Sequence, residues 1–463
     1  MIILQMTQYD NLPIPYTVVD FLYSPLLIII FLLVAYLHQK KKIDENPVYK
    51  YYLGGLALKL LCGIIFMLIF SEYYGYGDTC DYIYGSISMS KLMIKHPGQY
   101  FLTLFGQVDY RMSYSFFDFE TNYPQHFMWR DPNTRFVINI TSLFNTLGFR
   151  AFMPTTIIVS AFSYLGVWKL YLFFTDFFPK LNKQMAIAVL FLPSVLFWGS
   201  GVMKDTYTFA ASAWFVYNIY MIFFKKEKIP INILLCLVNV LIIISIKPYI
   251  FVALLPGIVT WALFKRIKDL KNKVLATITM PLMIVVVFGI TLLVFSSLQS
   301  QMGKYGNYAS AIEQAKIIQE DLLRSEQYGA NSYNIGKIDG TITGMLKVAP
   351  MAIIAGMYRP FLWEARNPVM LISGLENLCL LVLTIYLLFK LKFIRFFQFI
   401  FSDPILLFSM LFTIFFMFAV GMASANFGAL VRYKIPAMPF FVASAFIMLD
   451  KYKTYKEGVY RKS

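Results

Sequence analysis

Long apolar runs separated by short charged breaks occupy most of the chain. Runs of spanning or near-spanning length fall at residues 18–37, 52–70, 151–174, 185–200, 206–224, 231–246, 249–264, 274–296, 368–389, 404–423 and 434–449. A membrane-crossing helix needs about 20 apolar residues, so the pattern predicts an all-α integral membrane protein with about eleven transmembrane helices, several of marginal length. The chain reads as one polytopic domain over 1–463 with two connections, 71–150 and 297–367, far longer than a link between helices requires. The first opens on Tyr73-Tyr74-Gly75-Tyr76-Gly77-Asp78, whose glycines end the preceding helix. It continues through a weakly amphipathic stretch, Ile87 to Ile94, expected to lie on the membrane surface. The second carries Ile312, Ala315, Ile318 and Leu322 at helical spacing, then an apolar return through Pro350 to Tyr358.

Composition supports the membrane class: 59% of residues are apolar and only 14% are charged. A net charge of +16 raises nucleic acid as a partner. The basic residues instead cluster between apolar runs, at Lys40–Lys42, Lys180 with Lys183, Lys225-Lys226, Lys265-Arg266 and Lys390 with Lys392 and Arg395. If every run spans, these clusters share one side, which the positive-inside rule makes cytoplasmic. Met1 to Pro15 holds no Lys or Arg, so the N-terminus is expected outside and the C-terminus inside a bacterial cytoplasmic membrane. Cys62, Cys80, Cys236 and Cys379 are too scattered for a disulfide framework or a zinc cluster. With no Walker or GxGxxG loop, no cofactor is expected, and a divalent ion has only Asp118-Phe119-Glu120 to recommend it. His38, His96 and His126 all lie outside the middle of a span, which argues against an acyltransferase built on a buried histidine.

Charge placed at helix mouths changes the picture. Burying an ionised group near hydrocarbon costs several kcal/mol, yet acids stand at Gly77-Asp78-Thr79-Cys80-Asp81 and at Met203-Lys204-Asp205. Cations at external helix ends, against the orientation rule, are Lys204, Lys247, Arg359, Arg366, Arg432 and Lys434. Fixed cations at headgroup depth suit a phosphate or diphosphate carried on a lipid. Taken singly, each feature has an ordinary reading: a turn for Asp78 and Asp81, a helix N-cap for Asp205, snorkelling for each cation. Two acidic sites and a set of cations together point to chemistry.

Leu192-Pro193-Ser194 running to Gly199-Ser200-Gly201 and Lys204-Asp205, with Arg432-Tyr433 and Pro436 near the end of the chain, resembles polyprenyl-phosphate-sugar-dependent membrane glycosyltransferases of the C-type fold, the bacterial relatives of protein mannosyltransferases. The resemblance touches scattered points of the chain. It departs from the family's pattern in placing the first-loop acids after the second run, spaced as Asp78-x-x-Asp81. It implies transfer of a sugar from a polyprenyl-phosphate or diphosphate donor to a hydroxyl on a glycan, lipid or protein, at the external face and among membrane lipids. Such a donor carries its own leaving group, so the enzyme must deprotonate the acceptor and stabilise charge on the departing phosphate. Asp78 is then the expected general base with Asp81 as its rival, and Asp205 positions the acceptor or orients Lys204. Arg432 and Tyr433, supported by Lys247 or Arg359, hold the phosphate, and Glu364 counts among the substrate-binding residues, beside Trp363, which either stacks on the sugar or anchors at the interface. An O-antigen-like repeat-unit polymerase and a lipid-linked glycan transporter or flippase share the same charge pattern. Proximity of Asp78 or Asp81 to Asp205 and Arg432 is the expectation that separates a transferase from them.

Overall fold

A computed structural model describes residues 16–106, 108–268, 289, 342–424 and 426–460, and among them the chain is helical with no strand. Helices α1 (Val18–Lys42), α2 (Tyr52–Leu68), α3 (Asp78–Lys95), α4 (Pro97–Phe105), α5 (Tyr110–Tyr114), α6 (His126–Arg130) and α7 (Pro132–Leu147) precede the long α8 (Phe152–Phe177). Then come α9 (Asn182–Val189), α10 (Pro193–Trp198), α11 (Lys204–Tyr220), α12 (Ile229–Ile246) and α13 (Pro248–Lys268). The last six are α14 (Ile342–Tyr358), α15 (Pro368–Leu391), α16 (Phe393–Ser402), α17 (Pro404–Ala423), α18 (Phe427–Tyr433) and α19 (Met438–Tyr460).

Among the described residues seven helices are long and apolar enough to cross a membrane: 18–42, 47–73, 152–177, 204–225, 229–246, 368–391 and 404–422. An eighth follows if α18 and the helix after it, bent by 62° at Pro436, count as one span. These coincide with eight of the eleven runs read from the pattern. Run 274–296 and the helix-spaced stretch from Ala309 to Glu326 lie outside the described residues. Run 249–264 is helical but falls in the shorter apolar class. Run 185–200 is two short helices, α9 and α10, separated at Leu190–Leu192. Pro193 is the physical reason: it lacks an N–H and cannot extend α9, but it is well suited to the first turn of a new helix.

The chain folds as two compact units, the first comprising Met1–Leu170, Leu196–Phe215 and Leu241–Lys247 and the second the rest. In the first, α3 packs along α7. Eleven of the eighteen residues of α3 are buried, so most of this helix is packed inside the protein. Its buried side is largely small and hydroxylic, which lets two backbones approach closely. Gly85 faces Ile138, whose Cδ1 would stand 2.7 Å from an added Cβ, and the Thr146 hydroxyl donates to Ser90 at 2.9 Å. Thr141 pairs with the Tyr207 hydroxyl at 2.8 Å. Asp20, fully buried, accepts from the Thr17 N–H and hydroxyl and from the Met153 N–H, each at 2.8 Å, so one carboxylate serves the starts of α1 and α8.

In the second unit α17 packs against both α13 and α14 and also meets α19. Gly356 and Gly421 make the α14–α17 contact a backbone approach; an added Cβ on Gly421 would lie 2.7 Å from the Ala352 carbonyl carbon. Trp261 stacks on Phe408 at 5.6 Å, and Phe440 meets Phe408 and Phe412 edge-on at 5.5 and 5.0 Å, the offset and perpendicular geometries aromatic rings prefer.

Candidate functional site

Asp78 and Asp81 stand in the first turns of α3 because of Gly77, the residue that caps it. Gly77 has φ 154° and ψ 175°, a conformation essentially restricted to glycine, and an added Cβ would run 2.6 Å from the Phe70 ring. The chain can therefore leave the helical stretch that ends at Tyr73 and begin α3 within a few residues, with both carboxylates near the positive end of the helix dipole. Asp78 is half-buried and Asp81 is 5% exposed. The Tyr76 hydroxyl donates to Asp81 Oδ1, and Gln125 Nε2 donates to that same hydroxyl. Between the two acids, burial pushes the Cys80 thiol up to about 11, which keeps it protonated and no nucleophile.

Helix α6 leads from Gln125 to Asp131, where a second charged group begins. Asp131 caps α7, accepting from the Thr134 N–H at 3.1 Å and its hydroxyl at 2.5 Å, and pairs with Lys204 Nζ at 3.0 Å. Partial burial alone would raise the Asp131 carboxyl; the Lys204 ammonium and the Thr134 donors outweigh it and hold the group below its ordinary value. Asp205, the next residue after Lys204, pairs with Lys247 at 2.5 Å, and the two side chains are only 4% and 8% exposed. Asn133 Nδ2 donates to the carbonyls of Ser245 and Ile246, both at 3.0 Å, tying the start of α7 to the end of α12 just before Lys247. The starts of α7 and α11 and the end of α12 thus meet in one cluster of two acid–ammonium pairs.

Of the expected site residues, Asp78, Asp81, Lys204, Asp205 and Lys247 belong to the first unit, and Arg359, Glu364, Arg432 and Tyr433 to the second. Asp205 sits inside the first turn of α11, not at its N-cap, and its ion-pair partner is Lys247, while Lys204 goes to Asp131. In the second unit Arg359 Nη2 pairs with Glu364 Oε1 at 3.2 Å, and the other Glu364 oxygen accepts from the Phe361 N–H at 2.8 Å. The Arg432 guanidinium lies 5.9 Å over the Tyr433 ring. Trp363 stacks on Phe361 and is 76% exposed. Lys434, read from the sequence as an external cation, is an interior strut at 1% exposure; it donates to Asn377 Oδ1 and toward the carbonyls of Met357 and Arg359 at 3.4 and 3.5 Å. Asp118 and Glu120, considered for a divalent ion, both pair with Lys95, at 2.9 and 2.7 Å.

Comparison with known protein families, with curated proteins and with solved structures finds no match for this chain. The site therefore rests on its own chemistry.

Three participants escaped the sequence reading. Asp131 and Gln125 lie in a polar stretch with no periodicity to mark them. Lys59 had a signal, a lone cation in the middle of the apolar run Tyr52–Leu68. It is 2% exposed and donates to the Gly199 carbonyl.

Proposed function

We propose that the chain is a membrane glycosyltransferase with a C-type architecture, moving a sugar from a polyprenyl-phosphate or diphosphate donor to a hydroxyl acceptor at the external face of a bacterial cytoplasmic membrane. The observation that carries this reading is that the first unit holds both the carboxylates opening α3, tied through Tyr76 to Gln125, and two acid–ammonium pairs at three helix ends. Intramembrane or interfacial charge of this kind is expensive and marks function by default.

The acceptor oxygen attacks C1 of the sugar as the C1–oxygen bond to phosphate breaks, and the bonding pair leaves with the phosphate. Asp78, half-buried at the mouth of α3, takes the acceptor's proton. Asp81, engaged by Tyr76, supports it from one turn below. Lys204, 23% exposed and shared with Asp131, is the ammonium available to developing phosphate charge. Lys247 is committed to Asp205, and that pair holds the end of α12 against the start of α11. Arg432, Arg359, Tyr433 and Glu364, expected from the sequence at phosphate and sugar, belong to the second unit. On this reading the N-terminus lies outside and the C-terminus inside, and the acceptor would be a glycan, lipid or protein hydroxyl.

A lipid-linked glycan transporter is the second reading, favoured by one feature. The stretch 182–203 is a broken helix, and the carbonyl after its second half accepts from the Lys59 amine, as carbonyls at helix breaks in transporters serve their ion sites. Purified protein reconstituted into vesicles with radiolabelled polyprenyl-phosphate sugars decides between them. Glycosylated product from single-sugar donors supports the transferase; label crossing the bilayer with no product overturns it in favour of transport. A ladder formed only from diphosphate-linked oligosaccharides overturns it in favour of polymerisation.

A further inference from the structure

Lys59 lies near the middle of the 27-residue apolar stretch Pro47–Tyr73, with its side chain sealed from the surface. A lysine at that depth is retained only where something needs it. Its hydrogen-bond partner is the Gly199 carbonyl, the first group after α10, where the last carbonyls of a helix lack partners and carry partial negative charge. The two following carbonyls are held in the same way. Ser160 on α8 donates its hydroxyl to the Ser200 carbonyl at 2.5 Å, and Thr206 on α11 donates to the Gly201 carbonyl at 2.6 Å. Three consecutive backbone carbonyls are thus fixed by side chains from three helices, one of the three donors being the Lys59 amine.

The turn is also packed without slack. Gly201 lies against the Phe66 ring, whose Cγ would stand 2.7 Å from an added Cβ, and Gly63 would place one 3.2 Å from the Ser200 carbonyl oxygen. Val202 and Met203 are buried and lead straight into Lys204 and Asp205. Whatever sets the carbonyls of 199–201 therefore sets where α11 starts, and with it the pairing of Lys204 with Asp131 and of Asp205 with Lys247.

We infer that Lys59 is a positioning residue: through its hydrogen bond to the Gly199 carbonyl it fixes the turn Gly199–Met203, and so the placement of Lys204 and Asp205 in the charged cluster. The placement stands whether or not the chain transfers sugars; only its effect on turnover rests on the proposed function.

The test uses the full chain in lipid nanodiscs carrying Asp131→Cys and Lys204→Cys. A short bis-thiosulfonate reagent bridges the two cysteines, and the cross-linked peptide is quantified by mass spectrometry with residue 59 as Lys, Met or Arg. Lys59→Met lowers the yield about tenfold, the effect of losing one buried hydrogen bond, and Lys59→Arg restores it to within about twofold. Equal yields with Lys and Met overturn the inference, and so does an equal loss with Met and Arg, which would make the effect one of packing. If Lys59→Met elutes as aggregate, Lys59→Gln, which keeps a donor, takes its place: a yield above that of an aggregate-free Asn variant supports the inference, and a yield equal to that of Asn overturns it. In the otherwise unaltered protein, Lys59→Met is expected to lower kcat for glycosyl transfer with KM unchanged. A wild-type protein that transfers no sugar removes the proposed function and leaves the cross-linking result untouched.

Discussion

Asp205 and Lys247 show what a buried charge pair commits a protein to. Removing one partner strands the other in a dry interior, which typically costs about 3–5 kcal/mol, whereas replacing both by apolar residues of similar size is often neutral. Asp205→Asn should therefore lower the thermal midpoint in detergent sharply, and the double change Asp205→Leu with Lys247→Met should recover most of it; a single change as mild as the double one would show the pair to be water-accessible. Asp78→Asn addresses the chemistry instead. It should reduce kcat in reconstituted transfer assays by about 10²- to 10⁴-fold, the usual contribution of a general base, with the fold intact by size-exclusion chromatography. Full activity in Asp78→Asn, Asp81→Asn and the double variant would place the base elsewhere. Charged positions were legible in the chain because acids and bases stand out against apolar runs. Their partners were not: Lys204 reaches Asp131 across 73 residues and Lys247 reaches Asp205 across 42, distances over which local pattern carries no information.

Among the described residues helices were legible at most of the apolar runs, and α1, α8, α12, α15 and α17 all lie where the runs do. Misreadings arose where length or apolarity was a poor guide. Pro193 sits inside an apolar run and divides it. Helix α3 hides its interior face behind serines and a glycine, residues that read as polar although Ser86, Ser88, Ser90 and Gly85 are buried, because small side chains gain by close approach what larger ones gain by area. The contact of α14 with α17 follows the same rule and can be tested at one position. Gly421→Ala inserts a methyl 2.7 Å from the Ala352 carbonyl carbon, so it should cost about 1–3 kcal/mol, seen as a lower unfolding midpoint, while Gly54→Ala, with open space around it, should not.

Taken as a whole, the molecule is a helical membrane protein whose spanning helices were mostly visible in hydropathy, because hydrocarbon thickness imposes a length that sequence must obey. Its division into two units was not visible. Residues 196–215 and 241–247 belong with the N-terminal 170, a grouping made by tertiary pairing and not by any linker or change of composition. Acid should act on the first unit through Asp131. Its carboxyl is lower in the folded state, so its stabilising contribution is complete above its ordinary value of 3.8 and is lost as pH falls through the depressed folded value. Melting curves should then show Asp131→Asn destabilised relative to the parent at neutral pH, with the gap closing in strong acid. A gap that persists unchanged at every pH would mean the cap, not the charge, matters.

Asp20 brings the order of synthesis into the fold. Its carboxylate waits for the Met153 N–H, 133 residues downstream, which at usual elongation speeds emerges roughly ten seconds later. During that interval Asp20 has Thr17 on one carboxylate oxygen, while the donor for the other has not been made. Biogenesis must shelter the acid, at the insertion machinery or at the water boundary, until the later helix arrives and the two beginnings are fastened together.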